Sequence, residues 1–235
     1  MAEQNHALFD APYPDAPPHL AQKLSPDIYV VAAHPNWRES RVNLLLLQAA
    51  RQEPRAQVRD LYASYPDYAI DVPAEQVALK RAQLVVLLHP IQWYSMPALQ
   101  KLWLDDVLTF GWAYGVGDDA TPGNALRGKD LWLVASTGGP EASYQPDSYN
   151  RYSFDAFLPP YAQTATLCGM RFLPPLILHG AHRASSETLQ AHSRSFADRL
   201  RTYPNWPELN ALSPCCETTV PGQDRPDPND MKSPP

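Results

Sequence analysis

Apolar residues in this chain gather in short unbroken blocks, each followed by a stretch in which they recur every three or four positions. Ile28–Ala33 is one such block, the pattern of a strand covered on both faces. A helix is predicted after it over Ser40–Gln52, where Val42, Leu44 to Leu47, Ala49 and Ala50 leave little polar face. Gln57–Leu61 predicts a shorter strand. Pro73 stands where a helix accepts its first residue, and Ala74–Ala82 continues that helix. Leu84–His89 is the second strongly apolar strand. The next helix opens with Ser95 and Pro97 and runs to about Phe110, with Leu99, Trp103, Val107 and Phe110 on one face. Leu131–Ser136 reads as a third buried strand, with a helix over Ser153–Cys168 after it. Phe172–Leu178 is the last strand, and Pro174 and Pro175 assign it to a sheet edge. Ser185–Tyr203 closes as an amphipathic helix that turns Leu189, Phe196, Leu200 and Tyr203 inward.

This alternation predicts an α/β fold: an open five-stranded parallel sheet of order 2-1-3-4-5 with helices on both faces. The domain spans 27–203. Residues 1–26 hold Pro12, Pro14, Pro17, Pro18 and Pro26 without hydrophobic periodicity and are expected to form a flexible arm. Residues 204–235 carry eight more prolines among Asp, Asn, Ser and Thr, the composition of a disordered tail. A net charge of −6 and the lack of any Lys/Arg-rich run argue against nucleic acid as a partner. Three cysteines make no disulfide framework for a chain of 235 residues, which fits a reducing compartment. With no apolar segment at its start and no run near the ~20 residues that span a bilayer, the chain is expected to be cytoplasmic.

In such a sheet, ligands bind beyond the carboxyl ends of the strands, where the strand order reverses. The loops there follow Ala33, His89 and Ser136. The first, His34 to Asn43, feeds a helix whose free amides suit a phosphate; Ser40 and Asn43 add donors, and His34 and Arg41 add positive charge. The competing reading is an ordinary helix cap by Ser40. Neither the G-x-G-x-x-G nor the G-x-x-x-x-G-K-[ST] pattern is present. The second loop, His89-Pro90-Ile91-Gln92-Trp93-Tyr94-Ser95-Met96-Pro97, sets two large aromatics at the end of a buried strand. There a flat heteroaromatic ring would stack or pack edge-on, unless the aromatics merely plug the core. The third, Ser136-Thr137-Gly138-Gly139, lets the backbone approach a ligand closely or makes a simple tight turn.

Taken together, these loops resemble the NAD(P)H:quinone oxidoreductase family of flavodoxin-like fold. The nearer likeness is to its bacterial branch, the ancillary subunits of glutathione-regulated potassium-efflux antiporters. The residues that carry it are A-H-P-x(5)-S-R-V-N at 33–43, H-P-I-Q-W-Y-S-M-P at 89–97, K-L-W-L-D-D-V-L at 101–108, G-W-A-Y-G at 111–115 and S-T-G-G at 136–139. The resemblance covers roughly residues 27–203. It implies FMN, with FAD as the alternative. His34, Ser40, Arg41, Val42 and Asn43 would hold the phosphate and ribityl end. Ile91, Gln92, Trp93 and Tyr94 would line one ring edge, and Ser136, Thr137, Gly138 and Gly139 would present donors to the other. The catalytic roles fall to the Gly138 and Gly139 backbone and to Tyr144. The family's histidine, six residues after that tyrosine, is Asn150 here. The implied reaction is a ping-pong transfer of hydride from NAD(P)H to a quinone by a homodimer. Residues 111–115 would face the partner subunit, and Trp112 and Tyr114 would enclose the substrate. Regulation of a potassium/proton antiporter is the alternative function, with peripheral membrane attachment through that partner.

Other chemistry finds less support. His179 and His182 lack further ligands for a metal. Cys168 reads as a small core residue, and no G-x-S-x-G elbow signals a hydrolase.

Overall fold

The computed structural model describes residues 26–115 and 123–212. The proposed arm through residue 25 and the tail from 213 onward lie outside the described residues. Strand β1 (Ile28–Ala32) is buried along its whole length and lies between β2 (Ala56–Asp60) and β3 (Leu84–Pro90), parallel to both. Next come β4 (Asp130–Ser136) and, at the far edge, β5 (Arg171–Phe172). The strand order is β2-β1-β3-β4-β5, as expected, and β6 (Leu176–Leu178) also pairs with β4.

The period of two along each strand divides the apolar side chains between two layers. Tyr29, Val31, Val85, Leu87, Leu131 and Leu133 face one side. There they meet α2 (Leu61–Ser64), α3 (Val72–Arg81), α4 (Ala98–Val107) and α5 (Pro159–Leu167). Ile28, Val30, Val86, Trp132 and Val134 face α1 (Val42–Gln52) and α6 (Ser186–Thr202) on the other. These helices hold the loops at the carboxyl end of the sheet in place.

Several boundaries differ from the sequence reading. The last strand is two pieces, because Pro174 and Pro175 carry no N–H for the ladder; the Trp132 indole donates instead to the Pro174 carbonyl at 3.1 Å. The segment 153–168 is likewise divided into a 3-10 turn over Phe154–Phe157 and α5, which Pro159 restarts. Helix α4 begins at Ala98 and ends at Val107, so Phe110 is not on its buried face but partly exposed beside Tyr114. The fold also runs past 203. Trp206 and Leu209 are buried, and Trp206 packs edge-on against Trp132 with centroids 4.9 Å apart, so the packed chain continues beyond 203 through these two residues.

Candidate functional site

Register carries the three loops to one place. Pro90 lies beside Ser136, the Ile91 amide donates to the Ser136 carbonyl at 2.7 Å, and the Ala33 amide donates to Leu88 at 2.9 Å. Asn43, in the first turn of α1, donates through Nδ2 to the Ser136 hydroxyl at 2.9 Å, joining the first loop to the third. Between them is a cavity of about 230 Å³. It is lined by His34, Ser40, Arg41, Val42, Asn43, Ile91, Gln92, Ser136, Thr137 and Gly138 from the residues expected. Glu39, Pro90, Ala181 and His182 line it as well.

Unpartnered polar groups set its chemistry. Asp60, Asp71 and Ser185 cap α2, α3 and α6 with their side chains, but α1 has no side-chain cap. Ser40 is therefore not the cap that the competing reading required; α1 starts two residues later without a side-chain cap, and its first residues, Val42 and Asn43, line the cavity. The Ser40 hydroxyl and Asn43 Oδ1 are buried and likewise unpartnered. Unmatched polar atoms in a folded interior ask for a ligand or water. At the second loop Gln92 and Ser95 exchange backbone hydrogen bonds across a tight turn, with Trp93 (φ 47°) and Tyr94 (φ 65°) both left-handed. The amides of Trp93, Tyr94, Gly138 and Gly139 meet no acceptor among the described residues.

The third loop is held by its own side chains. The Thr137 hydroxyl donates to the Gly139 carbonyl at 2.8 Å and lies 3.0 Å from His179 Nδ1. Neither Gly138 nor Gly139 has a positive φ. What requires glycine is crowding. A Cβ at Gly138 would stand 3.0 Å from the His182 ring, and one at Gly139 would stand 2.8 Å from both the Ser143 and Tyr149 hydroxyls. Tyr144 is buried against Phe154, Phe157 and His179; burial pushes its phenol above the ordinary range, and a hydrogen bond with Thr137 opposes that. Asn150 donates to the Ser143 hydroxyl at 2.9 Å and accepts from Tyr94 at 3.3 Å.

Charge at the first loop differs from expectation. The Asn36 amide donates to His34 Nδ1 at 3.1 Å, and burial lowers the His34 pKa, so at neutral pH this ring offers a neutral Nε2–H rather than a positive charge. Arg41 donates through Nη1 to the His182 carbonyl at 3.0 Å.

Trp93, Tyr94, Gly139 and Tyr144 do not line the cavity; Trp93 is 93% exposed. Trp112, expected to enclose a substrate, is instead buried in the core beside α4, because the turn from Gly111 folds its ring inward. His182 and His179 follow β6, also at a carboxyl strand end. The rule that singled out the first three loops therefore applied to this fourth one too.

The model of the flavodoxin-like fold family matches residues 26–200. The glutathione-regulated potassium-efflux system ancillary protein KefF of Citrobacter koseri is 44% identical over 183 residues, 78% of this chain and 98% of that protein. The chain belongs to the flavodoxin-like family, in the branch of the KefF proteins. Two solved structures carry the same flavodoxin-like fold. General stress protein 14 of Treponema denticola, crystallised in complex with FMN, superposes with a TM-score of 0.69 at 36% identity, over 75% of this chain and 99% of that one. An NADPH-quinone reductase of P. pentosaceus gives 0.65 at 25%, over 74% and 97%. Trp206 and Leu209 extend this flavodoxin-like core beyond the span that the family model matches.

Proposed function

We propose that the protein is a flavin-dependent oxidoreductase that moves hydride from NAD(P)H to a quinone, with FMN as its cofactor and FAD as the alternative. The observation that carries this reading is the convergence of unsatisfied donors at the crest of the sheet. The uncapped start of α1, with the Ser40 hydroxyl and the Arg41 charge, suits a phosphate. The amides of residues 93 and 94 suit the polar rim of a flat ring, and those of 138 and 139 suit negative charge. A cavity of about 230 Å³ is smaller than a whole ligand pocket of ~300–1,000 Å³. It therefore fits the arm of the cofactor and leaves the ring to the loops above it. Bound flavin supplies the two-electron chemistry that no side chain here provides. The chain's own residues bind, orient and offer hydrogen bonds, with Tyr144 held protonated by burial. The FMN of the Treponema protein and the activity named for the P. pentosaceus enzyme support this assignment.

A second reading, regulation of a potassium/proton antiporter, is favoured by 44% identity across nearly the whole of a KefF protein. The two are compatible. No helix among the described residues is long and apolar enough to cross a membrane, so membrane attachment in that role would come through the partner. The exposed rings of Trp93, Tyr149 and Tyr152 beside the site suit the partner face of a homodimer.

The purified protein is expected to show a flavin spectrum that bleaches with NAD(P)H without oxygen and recovers on adding a quinone. Release of the cofactor by denaturation and chromatography separates FMN from FAD. A protein that stays colourless after incubation with either sinks the enzymatic reading. Co-purification with an antiporter's cytosolic domain tests the regulatory one.

A further inference from the structure

Asn150 cannot carry a proton, and both ends of its amide are already engaged with Ser143 and Tyr94. An imidazole nevertheless lies against Tyr144. The His179 ring, at the end of β6, is tilted over it with centroids 5.3 Å apart, and Phe154 closes edge-on at 4.9 Å. The bond lengths around Thr137 guide the assignment of that ring's proton. A carbonyl only accepts, so the single Thr137 hydroxyl proton lies on the bond to Gly139. With that proton on the shorter bond to Gly139, the Thr137 oxygen is left to accept, and we assign the ring proton to Nδ1 and the lone pair to Nε2. The residue is half-buried rather than sealed. Backbone bonds make the arrangement rigid: Thr137 donates to Leu178, Gly180 to Gly139 and Ala181 to Thr137.

We propose that His179 is the proton-binding positioning residue of the redox site, doing what position 150 cannot. The inference rests on the flavin reading above. Hydride from the nicotinamide brings two electrons and a proton, and leaves extra negative charge at the site. One solvent proton binds His179 Nε2 in response, while Nδ1–H stays on Thr137. When hydride passes to the quinone, the His179 proton follows it, and the two together complete the hydroquinone. The ionisable groups facing the ring are Glu141, which favours the imidazolium, and the Tyr144 phenol; burial favours the neutral form. His182, three residues on, is turned toward Gly138.

The test uses the full chain loaded with FMN. The midpoint potential of the flavin is measured from about pH 5 to about pH 9 in the wild type and in His179→Gln, whose amide can still donate to Thr137 but does not titrate. The wild type is expected to show a break, from about two protons per electron pair at low pH to about one at high pH. In His179→Gln that break moves or disappears. In parallel, ¹⁵N NMR of the wild-type imidazole should show Nδ1–H alone in the oxidised protein and protonation at Nε2 on reduction at a pH below the break. This readout stands even if the variant does not fold. The same break in both proteins, or an Nε2 that stays bare on reduction, overturns the proposal while leaving the flavin reading intact. A chain that binds no flavin overturns both.

Discussion

The two ends of the sheet treat polar groups in opposite ways. At the amino ends of the strands and in the layer behind them, buried charge is matched. Asp130 binds Arg171 through both oxygens, at 2.8 and 2.9 Å, and accepts from the Tyr203 phenol at 2.9 Å. Glu75, fully buried on α3, accepts from Tyr29, Tyr65 and Trp103 and pairs with Arg59 at 2.7 Å. At the carboxyl ends, the Ser40 hydroxyl, Asn43 Oδ1 and His89 Nε2 are buried without partners, and two consecutive aromatic residues stand at positive φ. A matched buried charge holds only itself in place, whereas an unmatched polar group is open to a ligand. The contrast predicts that mutations in the first region change stability, and that mutations in the second change binding.

The largest expected effect tests the matched end. Glu75→Ala leaves the Arg59 guanidinium, two phenols and an indole N–H without their acceptor. It should cost about 3–5 kcal/mol of unfolding free energy, read by urea denaturation, with flavin affinity unchanged in whatever fraction folds. A variant of wild-type stability that had lost flavin would reverse the contrast.

His89 probes the crest from beneath. Its Nδ1 donates to the Pro90 carbonyl at 2.9 Å, it stacks on Tyr161, and burial lowers its pKa to about 4. Because the folded value is depressed below the ~6.5 of an unfolded chain, the unfolded state binds the proton first. The stability tied to the neutral ring is complete above about pH 6.5 and falls as pH drops toward 4, by about 3 kcal/mol. His89→Phe should flatten that acid decline in denaturation curves taken across this range; an equally steep decline would mean that His89 is not its source.

The layered sheet was legible because burial on both faces writes itself as unbroken apolar runs, as at Ile28–Ala32 and Leu84–Leu88. The first loop was legible because a helix start after a strand has few uses. Trp206 and Leu209 were hidden by their surroundings: the recurrence of Trp206, Leu209 and Leu212 every three positions is too short to stand out in a proline-rich stretch, though the first two fill the core beside Trp132. The bond from His179 to Thr137 joins residues 42 positions apart, across a pairing with β4 that local pattern does not encode. The exposure of Trp93 follows from the left-handed turn, for which an aromatic pair is an unusual choice.

Gly139→Ala comes next in size and separates close approach from turn geometry. The added methyl meets two flexible hydroxyl-bearing side chains at 2.8 Å, and the backbone has no positive φ to resist it, so the fold should lose at most about 1 kcal/mol. The displaced Ser143 and Tyr149 disturb the loop that carries the 138 and 139 amides. Flavin binding is therefore expected to weaken roughly tenfold, equivalent to about 1.4 kcal/mol, by fluorescence titration. Unchanged affinity would remove the Gly-Gly loop from the site.

Trp93 gives the smallest effect and the sharpest sign. A side chain that is 93% exposed contributes little packing, yet the residue holds a left-handed conformation that costs a non-glycine residue roughly 1 kcal/mol. Part of that relief is offset by the greater backbone freedom of glycine in the unfolded chain. If the fold alone governed this position, Trp93→Gly would be neutral or stabilising by up to about 1 kcal/mol, with activity unaltered. Because the turn instead presents its amides and an indole at the crest, the same variant should unfold no earlier on heating while quinone turnover falls. A loss of stability with turnover intact would show that the indole serves the fold, and would leave the strain at this turn without a functional cause.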